Sequence, residues 1–92
     1  MTPRRTKMQI YIEILRNMQK SGGRMRKTHI VYKANLTHMR LKEYLDFLIS
    51  KEFIEEEIKG RETTFAITQK GVKFLAEVNK LKKLSDAFGV PI

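Results

Sequence analysis

Residues 32–49 read YKANLTHMRLKEYLDFLI. The second half has a helical period, because Leu41, Leu45 and Leu48 recur at intervals of four and three. Just before it, Asn35-Leu36-Thr37 interrupts an apolar and basic run. Asparagine tolerates positive φ, and the Thr37 hydroxyl can accept a backbone N–H where the next helix begins. Leu36 lies between them and is too apolar for a free surface loop. A break this short with an apolar plug reads as a tight turn between two helices, and the flanking segments decide what kind of turn it is.

Upstream, a short helix is expected from Lys27 or Thr28 to Ala34, burying Ile30, Val31 and Ala34. Before it, Ser21-Gly22-Gly23 closes a first helix running from Arg4 to Lys20, since glycine adopts the left-handed conformation a helix end needs. That helix places Met8, Tyr11, Ile12, Leu15 and Met18 on one face. Either Thr2-Pro3 or Thr6 can cap it. Downstream, the third helix runs from Thr37 or His38 to about Lys51, with Leu41, Tyr44, Leu45, Leu48 and Ile49 inward. Met39, Arg40, Lys42, Glu43, Asp46 and Ser50 occupy its broad outer side. Tyr11, Tyr32, Tyr44 and the phenylalanines all fall at core spacing, which argues against exposed stacking platforms for single strands.

The period then changes. Phe53 to Ile58 and Thr63 to Ile67 are β-prone runs, with Ile54 and Ile58 on one face of the first and Phe65 and Ile67 on one face of the second. Lys59-Gly60-Arg61-Glu62 supplies a glycine at the tip of a hairpin. Thr68 caps a last helix continuing to about Asp86, with Val72, Phe74, Leu75, Val78, Leu81 and Leu84 as its apolar positions. Phe74, Val78, Leu81, Ser85 and Phe88 follow a four-three spacing, a short heptad register. Gly89 and Pro91 limit any coiled coil to about two heptads.

Helix, helix, tight turn, helix, hairpin, helix is the order of a winged helix-turn-helix. The expected fold class is therefore mainly α with a β-hairpin wing (α+β), and a long C-terminal helix. Residues 1–68 form the winged helix-turn-helix part, and residues 69–92 form a dimerisation helix and tail belonging to the same unit.

Composition bounds the function. A chain of 92 residues is one domain, and without cysteine it has neither disulfides nor thiolate metal sites. No apolar run approaches a membrane span, and Gln9, Glu13 and Arg16 break the N-terminal apolar segment, so a cytoplasmic protein is expected, nucleoid-associated where its partner is DNA. The net charge is +9, and residues 1–50 alone carry eleven basic against three acidic side chains. Such a field attracts a polyanion. No Gly-rich phosphate loop or nucleophile–base set can be assembled, and His29 and His38 lack the partners a metal needs. The expectation is a non-enzyme with no cofactor, no metal, no membrane and no small-molecule substrate.

Double-stranded DNA is the expected partner. Arg40 can address a guanine edge, while Thr37, His38 and Lys42 surround it on the third helix. Lys59 and Arg61 at the hairpin tip can enter a minor groove or grip phosphate, and Arg24, Arg26, Lys27 and Lys33 are positioned as phosphate clamps around the second helix. Few of these side chains have good base-reading geometry, which favours weak sequence preference. A winged-helix protein-interaction module, or an RNA-binding subunit of a larger complex, shares the same charge and remains the alternative.

The sequence also resembles the small archaeal winged helix-turn-helix proteins, in particular their ten-kilodalton chromatin-type DNA-binding members. The similar pieces are Tyr32-Lys33-Ala34-Asn35-Leu36, Leu41, Tyr44-Leu45, Ile54 and Thr68-Gln69-Lys70-Gly71, spread over most of residues 6–84. The resemblance implies DNA binding by a homodimer joined through antiparallel C-terminal helices. The dimer positions would then be Phe74, Val78, Leu81, Ser85 and Phe88.

Overall fold

The computed structural model describes residues 5–90. In chain order the elements are α1 (Lys7–Lys20), β1 (Arg24–Arg26), α2 (Lys27–Ala34), α3 (His38–Ser50), β2 (Ile54–Lys59), β3 (Glu62–Ile67) and α4 (Gln69–Phe88). This is the winged helix-turn-helix arrangement, with four helices and a three-stranded antiparallel sheet ordered β1-β3-β2.

Each helix starts and stops for a local reason. Thr6 caps α1 in a capping box with Gln9, so of the two possible caps the second is used. The earlier start at Arg4 falls outside the described residues. At the other end, the Gly23 amide donates to the Met18 carbonyl at 2.8 Å across Gly22, whose φ is +80°. Asn35 closes α2 with φ 54°, and Thr37 opens α3 by accepting the Arg40 amide at 3.2 Å. Leu36 between them is buried. After α3 the Phe53 amide donates to the Leu48 carbonyl at 3.0 Å while Glu52 takes a left-handed φ of 62°. This is a glycine-type helix stop made without glycine.

The core joins Ile14, Leu15 and Met18 of α1 to Ile30 and Ala34 of α2. Leu41, Leu45 and Leu48 of α3, Met25 and Phe65 of the sheet, and Leu75 of α4 complete it. Tyr11 extends it by stacking on Phe47 and meeting Tyr44 edge-on, with centroids 4.4 and 5.4 Å away. Two expectations for α1 are corrected here. Met8 is 53% exposed, and Ile10 and Ile14 are buried instead. Helix α1 has a broad apolar side opposite Gln9, Glu13, Arg16 and Lys20, and the burial of Ile10, Ile14, Leu15 and Met18 selects a different stripe of it from the one expected.

The sheet also departs from the simple hairpin. Arg24-Met25-Arg26 is a strand, paired Met25 to Phe65 across 40 positions of sequence, and it widens the wing to three strands. The register puts Met25, Phe65 and Ile54 on the inner face. Arg24, Arg26, Glu55, Glu57, Lys59 and Glu62 occupy the outer face. Ile58 shares the inner face with Ile54 yet is exposed, because the hairpin projects beyond the helices at its tip. Gly60, with φ 61°, and Arg61 make a two-residue turn there.

Helix α4 begins in tight contact with the base of the wing. The Thr68 hydroxyl donates to the Glu52 carbonyl at 2.6 Å and accepts the Gly71 amide at 3.1 Å. Gly71 then passes so close to the Phe53 carbonyl that a β-carbon would sit 2.4 Å from its oxygen. Phe74 stacks on Phe53 with centroids 4.8 Å apart, and Arg16 of α1 donates to Asn79 at 3.1 Å. The helix runs two residues beyond Asp86, and its distal half leaves the body. Among the described residues no helix is long and apolar enough to cross a membrane.

Candidate nucleic-acid interface

The candidate site is built around the start of α3. Leu36 and Ala34 are buried at the turn between α2 and α3, the Thr37 cap satisfies the first turn, and Leu41, Tyr44, Leu45 and Leu48 anchor the helix from below. His38, Met39, Arg40, Lys42 and Glu43 are thereby left exposed on a rigid element. Thr37 is exposed as well, but its oxygen is already engaged as an acceptor from Arg40 N. Lys42 leans 3.4 Å from Asp46, one turn further along. An exposed pair of this kind contributes at most about 1 kcal/mol, so a phosphate can compete for the lysine.

The neighbouring helix α2 turns His29, Tyr32 and Lys33 outward. Tyr32 corrects the core expectation, since it is 80% exposed. Lys27 at the start of α2 is half-buried. Lys59 and Arg61 lie at the wing tip, both exposed.

Arg24 and Arg26 belong to a different grouping from the one expected. They project from β1 onto the outer sheet face and not from a loop. There Arg24 lies 3.3 Å from Glu57, across the full width of β3, and Arg26 lies 3.3 Å from Glu62. The acidic run Glu55-Glu56-Glu57 therefore does not stand alone, since part of it is balanced by β1. Spacing alone did not reveal this pairing, because it depends on the sheet register.

The distal half of α4 makes a second surface. Leu81 is 51% and Phe88 74% exposed, and Leu84, Ser85 and Val90 complete a shallow apolar cleft with them. Ser85 hydrogen-bonds the Val90 carbonyl and folds the tail back over the helix end. Of the expected dimer positions, Phe74 packs within the body and Val78 is half-buried, whereas Leu81 and Phe88 face solvent.

A helix presented after a tight helix–helix turn, beside a three-stranded wing, defines the winged helix-turn-helix class. Residues 4–86 match the family model described as winged helix-turn-helix, and the chain belongs to that family. The uncharacterized protein MJ0287 of Methanocaldococcus jannaschii is 31% identical over 84 residues, spanning 91% of this chain and 80% of that relative. Among solved structures, Sso10a-2, a DNA-binding protein from Sulfolobus solfataricus, aligns with a TM-score of 0.77 at 23% identity. The alignment covers 91% of this chain and 85% of that one. F93 from STIV, a winged-helix DNA-binding protein, aligns with a TM-score of 0.73 at 22% identity, over 87% of this chain and 92% of its own. At these identities the two structures establish the shared fold.

Proposed function

We propose that this protein binds double-stranded DNA as a homodimer, in a binding and not a catalytic role, as a transcriptional regulator or a chromatin-type architectural protein. The observation that carries the reading is the first two turns of α3, where exposed His38, Arg40 and Lys42 sit on a helix locked from beneath by four buried side chains. The +9 charge of the chain and the DNA-binding roles named for Sso10a-2 and F93 support it. On this reading α3 enters the major groove, Lys33 and Lys27 approach phosphates from α2, and Lys59 and Arg61 reach the backbone or an adjacent minor groove. Residues 69–92 join two subunits through the apolar positions of α4 that face solvent, Leu81 and Phe88 foremost. Counterion release then supplies most of the affinity, and sequence preference is weak.

The reading separates base contacts from phosphate contacts. Arg40→Ala should flatten affinity differences between duplexes of unlike sequence. Lys59→Ala with Arg61→Ala should weaken all duplexes alike and lower the salt slope by about two per subunit. Fluorescence anisotropy on a small panel of duplexes measures both. If neither variant changes duplex binding, α3 and the wing are not the contact surface.

The outer sheet face yields a prediction of opposite sign. Glu57→Gln with Glu62→Gln releases Arg24 and Arg26 and removes two negative charges per subunit. Duplex affinity at low salt should rise, and its salt dependence should steepen as the freed arginines meet phosphate. Unchanged affinity and slope would mean that this face points away from DNA.

A further inference from the structure

On the reading that α3 enters the major groove of duplex DNA, we propose that Met39 is a base-reading residue that recognises the C5-methyl group of thymine. At about 100° per residue, the buried stripe of Leu41, Tyr44, Leu45 and Leu48 lies opposite Met39, Glu43, Asp46 and Ser50. Met39 is therefore the foremost side chain of the first turn, the point on α3 that penetrates deepest into any groove it enters. It is 82% exposed, the highest value among the large apolar side chains of the described residues, and it contributes nothing to the core.

The surroundings identify what this pole faces. Arg40 and Lys42 flank Met39 on either side of the helix, so that Lys42 meets a phosphate backbone while Arg40 stays within reach of a guanine edge beside the methionine. Glu43 follows on the same pole one turn later, and a carboxylate there repels phosphate but accepts from an adenine or cytosine amino group. An apolar tip, then an acceptor, between two cations is the pattern of major-groove base edges. The apolar feature of those edges is the thymine methyl. A methionine there is unbranched and adaptable, which suits a methyl contact without a strict sequence requirement.

The test uses a duplex of alternating dA and dT and the same duplex with dU in place of dT. These differ in the major groove by the methyl group, while the hydrogen-bonding edges are unchanged. The wild-type chain should bind the dU duplex about fourfold more weakly for each thymine contacted, the worth of one buried carbon. Met39→Ala should bind the two duplexes equally, and Met39→Leu should keep the preference. Both variants should melt with the wild type, as Met39 lies outside the core. Equal binding of both duplexes by the wild type, or a preference retained by Met39→Ala, overturns the assignment while leaving DNA binding intact. Failure of the wild type to bind either duplex at low salt overturns the DNA reading beneath it.

Discussion

A chain carrying Leu81→Lys and Leu84→Lys should sediment as a monomer and lose about a hundredfold or more in duplex affinity. Both leucines are more than half exposed on the distal part of α4, so their replacement removes little from the core. They line a shallow apolar cleft with Phe88 and Val90 on a helix end whose side chains are exposed apart from half-buried Ser85. In a homodimer, four added charges face one another across the seam. Their desolvation and mutual repulsion add to the loss of the apolar contact. Affinity falls because a second, linked binding event multiplies the first, commonly by 10²–10⁴. Lysine is chosen because its added positive charge on its own would raise DNA affinity. A loss therefore reports the missing partner subunit and not electrostatics. A variant that remains dimeric in sedimentation would locate the interface elsewhere.

The second large effect concerns the joint between wing and α4. Gly71→Ala places a β-carbon 2.4 Å from the Phe53 carbonyl oxygen and 2.8 Å from Ile67 Cγ1. The side chain can move, but the carbonyl accepts the Thr68 amide at 3.0 Å and cannot yield without breaking that bond. Overpacking against backbone costs about 3 kcal/mol, and the helix-forming advantage of alanine returns about 1 kcal/mol. The expected net loss of about 2 kcal/mol corresponds to a midpoint lower by about 10 °C for a chain of this size. Thermal denaturation followed by circular dichroism measures it, at matched concentration because a dimer's midpoint depends on concentration. An unchanged or raised midpoint would mean that α4 does not press on the Phe53 loop as closely as described.

What was legible in the sequence was local. Asn35, Leu36 and Thr37 carry a left-handed residue, an apolar plug and a cap within three positions. Each signal acts over one turn, and all three appear in the structure. Thr68 and the glycine of the hairpin tip are of the same kind. By contrast, β1 is three residues long and exists only through partners about 40 positions away, so Arg24-Met25-Arg26 reads as a basic lead-in until the register is known. The pairing of Arg24 with Glu57 was hidden for the same reason. Helix α1 carries apolar residues at Met8, Ile10, Tyr11, Ile12, Ile14, Leu15 and Met18, a pattern that admits more than one buried stripe. The choice among them rests with the elements packed around it. For the candidate site, the exposure of Arg40, Lys42, Lys59 and Arg61 followed from charge. Their places on α3 and at the hairpin tip followed from local pattern, whereas the position of Arg24 and Arg26 on the outer sheet face followed from topology.

Two features of the fold bear on how firmly DNA would be held. The outer sheet face is a lattice of opposite charges, so the wing's contribution narrows to its tip. The pole of α3 presents Met39 and then Glu43, leaving Arg40 and Lys42 to the flanks. On the proposed reading, a protein so arranged would grip the duplex mainly through its backbone, with modest discrimination among sequences, as an architectural protein or a lenient repressor would.

The central claim is tested most directly by titrating duplex DNA, single-stranded DNA and structured RNA against the wild-type chain at several salt concentrations. The prediction is tight duplex binding at low salt that falls linearly on a log–log plot with salt, several-fold tighter than for either competitor. Absence of duplex binding at low salt would contradict the account, and equal affinity for all three polymers would reduce it to unselective charge attraction.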